Sequence, residues 1–245
     1  MPERARRLGP APGVGNPVPA AEVLTMFDRI APIYERMNTL MTAGLDERWR
    51  RDAVRATGLR PGMSAIDVAC GSGSMSRLLA RAVGRGGSVI GIDVSERMLI
   101  EASSRASAAF PIRYERADAL FLPLEDASVD AATIAFGLRN VADYRRCLTE
   151  MARVTRPGGR VVILEIALPS TGAGRCVADL WFRRAVPRIG RLAGRGAAYR
   201  YLPASVVGYP SPAAVADEMR AVGLAGVRWR RLTLGMVTLH VGRRA

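Results

Sequence analysis

The sequence contains no lysine and no glutamine, and a single histidine, His240. All 36 basic residues are arginine, against 22 acidic ones, which leaves a formal charge of +14. Such one-sided usage reads as a GC-rich genome writing arginine wherever a surface cation is tolerated. The arginines are spread along the chain rather than gathered into a tail. The charge therefore predicts no specific nucleic-acid partner, although contact with an anionic membrane surface stays compatible with it. Cysteine is scarce and scattered. Cys70, Cys147 and Cys176 form no CxxC or Cys/His cluster, which argues against a metal site or a disulfide framework and fits a reducing compartment. No apolar run approaches the roughly 20 residues that span a bilayer. The amino-terminal arginines precede no apolar stretch of signal-peptide type. These absences predict a soluble, cytoplasmic protein.

With 49 % apolar content in 245 residues, the chain can bury a full core as one domain over residues 21–245. Residues 1–20 are rich in Pro and Gly and predict a disordered tail, because little there could offset the ordering entropy. Over 21–57 the pattern is helical and amphipathic. Val23, Leu24, Phe27 and Ile30 recur at helical spacing, and Pro32 separates them from Tyr34, Met37, Leu40 and Met41. After Pro61-Gly62, short apolar runs at 64–69, 88–92, 112–115, 129–136 and 160–167 alternate with helical stretches at 74–83, 95–109 and 143–155. That alternation predicts a parallel, doubly wound α/β sheet. Arg156-Pro157-Gly158-Gly159 reads as a helix stop and turn. Ser211-Pro212 opens a further helix. Residues 227–232 and 236–241 then read as a hairpin, so one of its strands is antiparallel to the rest.

The first strand leads into Asp67-Val68-Ala69-Cys70-Gly71-Ser72-Gly73. A glycine turn at this place lets a ligand approach backbone at a helix amino terminus, and alone it is weak evidence. Asp67, four residues before Gly71, would repel a pyrophosphate but attract the ammonium of a methionine moiety. Asp93 closes the second strand 20 residues after Gly73, where an acid can accept both ribose hydroxyls. Asp118, followed by Ala119 just past the third strand, is placed to accept from an adenine amino group. Each acid alone could be turn chemistry; three at successive strand ends, with the glycine turn, point to S-adenosylmethionine.

These residues resemble the class I methyltransferases. The resemblance implies a Rossmann-like seven-stranded sheet with an antiparallel last strand. Further along, Phe136-Gly137-Leu138-Arg139-Asn140-Val141 resembles the ubiquinone/menaquinone-biosynthesis C-methyltransferases. So do Tyr34-Glu35-Arg36-Met37-Asn38, Trp49-Arg50-Arg51, Tyr199-Arg200-Tyr201-Leu202 and Leu239-His240-Val241-Gly242. The likeness runs from about residue 24 to 243. The departures are Cys70 and Ser72 where the family usually has Gly-Gly-Thr-Gly, Gly44–Arg48 without the usual histidine, and Ala204-Ser205-Val206 in place of Glu-Ser-Ile.

The resemblance implies C-methylation of a lipophilic, prenylated quinol such as demethylmenaquinol. Deprotonating a quinol hydroxyl puts charge on the adjacent ring carbon, which attacks the sulfonium methyl. Candidate catalytic residues are Arg139, Asn140 and His240. Arg139 is too basic to act as a base; it either steadies the phenolate or pairs structurally with Asp143. His240 is either a proton carrier or a strand histidine bonded inside the fold. Glu165 is a candidate base or a cap partner, and Tyr199 and Tyr201 either shape the ring pocket or belong to the core. Residues 170–205 predict a helical lid, divided at Pro187. Its apolar face carries Val177, Leu180, Trp181, Ile189 and Leu192, and Arg183, Arg184, Arg188, Arg191 and Arg195 form a basic face that either is solvated or rests on anionic membrane. Other classes stay open: a protein that only senses the cofactor, an RNA-modifying enzyme, or a paralogue methylating another phenolic or prenylated metabolite.

Overall fold

Side chains along the central strands alternate between two buried faces, and each face is covered by its own layer of helices. The computed structural model describes residues 20–167, 169, 172–181, 205, 206 and 208–245. Three helices come first: α1 (Ala20–Ile30), α2 (Tyr34–Thr42) and α3 (Leu45–Thr57), with a 3-10 turn carrying Pro32 between α1 and α2. There follow β1 (Ser64–Val68), α4 (Ser74–Val83), β2 (Ser88–Asp93), α5 (Glu96–Ser104), β3 (Ile112–Arg116) and β4 (Val129–Ala135). The remaining elements are α6 (Tyr144–Val154), β5 (Thr155–Ile166), α7 (Gly172–Leu180), α8 (Pro212–Ala221), β6 (Leu224–Leu232) and β7 (Val237–Arg244).

The strands lie in the order β3-β2-β1-β4-β5-β7-β6. Pairing is parallel from β3 to β5, and β7 is antiparallel to both β5 and β6. This is the Rossmann-like sheet with an antiparallel last strand that the sequence predicts. The order of the chain reverses between β1 and β4, so their carboxyl ends open onto the crevice where such sheets take ligands.

Ile66, Ile134, Val161 and Ile163 meet Leu148 and Met151 of α6 and Val215 and Met219 of α8 on one face. Ala65, Val162, Leu164 and Leu239 meet Trp49 and Ala53 of α3 and Leu79 and Val83 of α4 on the other. Burying each large aliphatic side chain contributes about 1.5–3 kcal/mol, so these two layers dominate the stability. Helix starts are set by side chains that accept a backbone N–H: Ser95 from Met98, Asp143 from Arg146 and Ser211 from Ala214. Such caps contribute about 1 kcal/mol each.

Several boundaries differ from the sequence expectation: β6 begins at Leu224 rather than residue 227, and β7 runs to Arg244 rather than residue 241. Helix α5 ends at Ser104 rather than Ala109, because 106–110 closes into turns ahead of Pro111. Strand β5 begins at Thr155 and takes the Arg156–Gly159 segment into its first half, where the register against β4 shifts between Val129 and Ala131. Of the expected lid, α7 and Trp181 are described. Pro187, Ile189, Leu192, Tyr199, Tyr201, Ala204 and the five arginines between 183 and 195 lie outside the described residues, as does the tail up to residue 19. No helix among the described residues is long and apolar enough to cross a membrane.

Candidate active site

The turn after β1 is wound through left-handed backbone at Ala69 (φ +50°), Gly71 (φ +54°) and Gly73 (φ +79°). A Cβ on Gly73 would lie 2.3 Å from the Tyr114 hydroxyl, so both the backbone angle and the space require glycine there. The turn forms one wall of a cavity also lined by Asp67, Asp93, Asp118 and Ala119. All the candidate cofactor residues except Gly73 line it, and Gly73 is the amino-terminal cap of α4 immediately beneath.

Each acid is held in place. Asp67 is 1 % exposed and accepts hydrogen bonds from Ser76 Oγ (2.5 Å) and Thr133 Oγ1 (3.2 Å). Burial pushes its carboxyl up to about 6, against those two bonds and the Arg50 charge. Asp93 accepts from the backbone N–H groups of Gly71 and Ser95, both at 2.9 Å. Burial nonetheless holds it above the usual carboxylate range. Asp118 Oδ1 accepts from the backbone N–H of Leu120 at 2.9 Å. Three carboxylates, Asp67, Asp93 and Asp118, line this cavity against one arginine, Arg50, which fits a ligand that brings its own cation.

The amino-terminal helices close this cavity from above, which motif reading misses. Val23, Leu24, Phe27 and Tyr34 line it. Glu35, the next residue, accepts from Ser72 Oγ (2.9 Å), Ser74 Oγ (2.6 Å) and Arg77 Nη2 (2.6 Å), and pairs with Arg105 at 2.9 Å. Burial opposes its charge, but the bonds from Arg77, Ser74 and Ser72 together with the Arg77 charge hold the carboxyl below its ordinary range. Ser95 Oγ likewise donates to Asp28 of α1 at 2.5 Å. The only sequence signal for Glu35 is its place in the Tyr34–Asn38 segment.

A second cavity, of about 310 Å³, lies alongside. Phe27, Tyr34, Arg50 and Phe136 line both, so these four side chains form the shared wall. The rest of the second cavity is mainly apolar, with Met26, Met37, Met41, Trp49, Trp181 and Met236 among its lining. Trp49 Nε1 donates to Thr233 Oγ1 in the β6–β7 turn at 2.8 Å, which ties α3 to the far end of the chain. Phe136 is held at φ +60° just past β4, an angle that a bulky residue rarely adopts. Its ring packs against Trp49 and beneath the Arg50 guanidinium, 5.2 Å from the ring centre.

The structure brings two of the three catalytic candidates to the cleft. Asn140 lines the first cavity and Arg139 the second. Arg139 pairs with Glu165, not with Asp143: Nη1 lies 2.5 Å from Glu165 Oε1 and also donates to the Phe136 carbonyl. Asp143 is occupied as the cap of α6. Glu165 is fully buried and also accepts from the backbone N–H groups of Arg139 and Ile166, so its place is structural. His240 is not in the cleft. It lies on the α6/α8 face of the sheet, fully buried, with Nε2 2.9 Å from the Pro212 carbonyl and its ring stacked on Trp229. Burial pulls its ring down to about 4, which keeps it neutral. Strand alternation explains the correction, because Leu239 points to one face and His240 to the other. Among the described residues no cluster of His, Cys, Asp and Glu could hold a metal ion.

The chain is similar to known proteins along most of its length. The chain is 42 % identical over 221 residues to the demethylmenaquinone methyltransferase of Thermus thermophilus, covering 89 % of this chain and 100 % of that one. It is 39 % identical over 225 residues to the ubiquinone/menaquinone biosynthesis C-methyltransferase UbiE of Geobacter sp. strain M21, covering 90 % and 95 %. Among solved structures, an S-adenosylmethionine-dependent methyltransferase from Aquifex aeolicus superimposes with a TM-score of 0.60 at 19 % identity, covering 86 % of this chain and 98 % of that one. The [4+2]-cyclase SpnF does so with a TM-score of 0.60 at 21 % identity, covering 95 % and 98 %. A cyclase and a methyltransferase on one sheet show that the fold alone does not name the chemistry. The family model does: residues 17–244 match the ubiE/COQ5 methyltransferase family, and the chain belongs to it.

Proposed function

We propose that the protein transfers a methyl group from S-adenosylmethionine to a ring carbon of a demethylmenaquinol-like prenylated quinol. The observation that carries this reading is the pair of cavities with one shared wall. The first has the acids and the glycine turn for the cofactor; the second has the apolar, aromatic and methionine lining for a lipophilic ring. S-adenosylmethionine supplies a sulfonium methyl group when bound. Asp67 would face its ammonium, Asp93 the ribose hydroxyls and Asp118 with Ala119 the adenine. Gly71, Ser72 and Gly73 would give the backbone surface against which it lies.

The protein's work is alignment, exclusion of water and charge stabilisation. Phe27, Tyr34, Arg50 and Phe136 stand where the two ligands would meet. Arg139, buried and locked on Glu165, offers a fixed positive charge to an oxygen on the ring. Asn140 lines the cofactor cavity. The names of the relatives support the acceptor class, and the likeness extends along nearly the whole of both chains. Extraction of quinones from a strain lacking the gene tests the reading. A demethyl quinone that accumulates, and is methylated again when the gene is restored, is the expected result. An unchanged quinone profile would remove the acceptor assignment.

A further inference from the structure

We propose that Asp46 is the base that takes the proton from the acceptor's hydroxyl, with Arg50 as its charge partner; this rests on the quinol reading above. Asp46 is the single carboxylate among the described residues lining the acceptor cavity. It lies in the first turn of α3 and is 8 % exposed. Its Oδ2 is 2.5 Å from Arg50 Nη1, one helical turn on, and its Oδ1 accepts from Thr42 Oγ1 at 3.0 Å. The other ionisable or charged groups on that wall are Tyr34 at the start of α2, Arg50 and Arg139, with Asp67 of β1 behind Arg50. At neutral pH phenols are protonated and guanidinium groups cannot give up their proton, so among the described residues a carboxylate is the one basic chemistry on that wall. Glu165 is taken up by Arg139 and two backbone donors.

Arg50 makes the transfer inexpensive. It lines both cavities and holds its guanidinium over Phe136 on the shared wall. When the hydroxyl proton passes to Asp46, negative charge leaves the carboxylate and appears on the phenolate oxygen beside the same guanidinium. The buried cation therefore keeps an anion beside it throughout the proton transfer. The ring carbon next to the phenolate forms its bond to the methyl group as the carbon–sulfur bond breaks, and that electron pair stays on sulfur. The methylated ring carbon then loses its hydrogen as a proton to water. Asp46 returns its proton to the oxygen, which restores the quinol.

Asp46→Asn is the test, because asparagine can keep its carbonyl oxygen on Arg50 and turn its amide N–H to Thr42 Oγ1 while losing the basicity. The purified protein is assayed with S-adenosylmethionine and a short-chain demethylmenaquinol kept reduced. Cofactor affinity is measured in parallel by calorimetry. At pH 7 turnover should fall about 10²- to 10⁴-fold, the range general-base catalysis supplies, with cofactor affinity held within about twofold. The residual rate should climb about tenfold per pH unit as hydroxide takes over, and the deficit should shrink with a chloro-substituted, more acidic quinol. Asp46→Glu, which keeps a carboxylate, should recover part of the rate. Turnover within about threefold of wild type, or a loss that ignores both pH and acceptor acidity, would overturn the assignment. A variant that has lost the cofactor as well would also overturn it. A wild-type protein that binds the cofactor yet leaves the quinol unmethylated sinks the quinol reading, and this inference with it.

Discussion

The two halves of the cleft are built in different ways. In the first cavity the acids and the glycine turn all come from strand ends and turns between Asp67 and Ala119, each close in sequence to the motif that announces it. Helices α1, α2 and α3 and the segment after β4 add further lining. The acceptor half is gathered from α1, α2 and α3, the segment after β4, the end of β5 and the β6–β7 turn. One contact that holds it, Trp49 to Thr233, spans 184 residues of chain. A cofactor shared by many enzymes demands fixed backbone and fixed charges, so the acids and the turn that would hold it are local in sequence. An acceptor cavity needs only shape and a few polar groups, and tertiary packing can assemble those from anywhere.

That contrast predicts separable failures. The largest should come from Arg139→Ala on the acceptor side. It strands Glu165, whose side chain is 0 % exposed, and breaking a buried pair from one side costs about 3–5 kcal/mol. Denaturant unfolding should show that loss; a change below about 1 kcal/mol would mean the pair does not hold the wall. Next is Asp93→Ala, on the cofactor side. Loss of charge-assisted hydrogen bonds to the ribose should weaken S-adenosylmethionine binding by about 1.5–3 kcal/mol, roughly tenfold to a hundredfold. Calorimetry that finds full affinity in a folded Asp93→Ala protein would remove the ribose assignment.

The smallest effect is a pH dependence at Asp67. Its carboxyl is raised from 3.8 to about 6 by burial, so the free protein gives up stability as pH rises through that range. Only the ionised form attracts the ligand's ammonium. Affinity should therefore be full above about pH 7, fall by about tenfold for each unit well below 6, and be accompanied by proton release when binding occurs near pH 6. Titrations in buffers of different ionisation enthalpy read that proton directly. Equal affinity at pH 5 and pH 7 would place the ammonium elsewhere.

The parallel, doubly wound sheet, its antiparallel hairpin strand and the three strand-end acids were legible because each rests on short-range pattern: strand–helix alternation, a short turn between two apolar runs, acid at a fixed offset. Glu35 was not, because its partners Ser72, Ser74, Arg77 and Arg105 come together only when α2 folds over the glycine turn. Nor was the choice between the two readings of Arg139. Sequence proximity suggested Asp143, whereas Glu165, a strand away, is the partner. His240 misled as a candidate because a lone histidine carries no sign of which sheet face it occupies. Only the neighbouring Leu239, packed towards Trp49 and Leu79, settles that.

The central claim is that a methyl group crosses the wall formed by Phe27, Tyr34, Arg50 and Phe136 onto ring carbon. Incubating the purified protein with methyl-labelled S-adenosylmethionine and reduced short-chain demethylmenaquinol, then locating the label by NMR, tests it most directly. The account predicts label on the ring carbon and one equivalent of S-adenosylhomocysteine for each quinol consumed. Label on a ring oxygen, or none while both ligands bind, would contradict it.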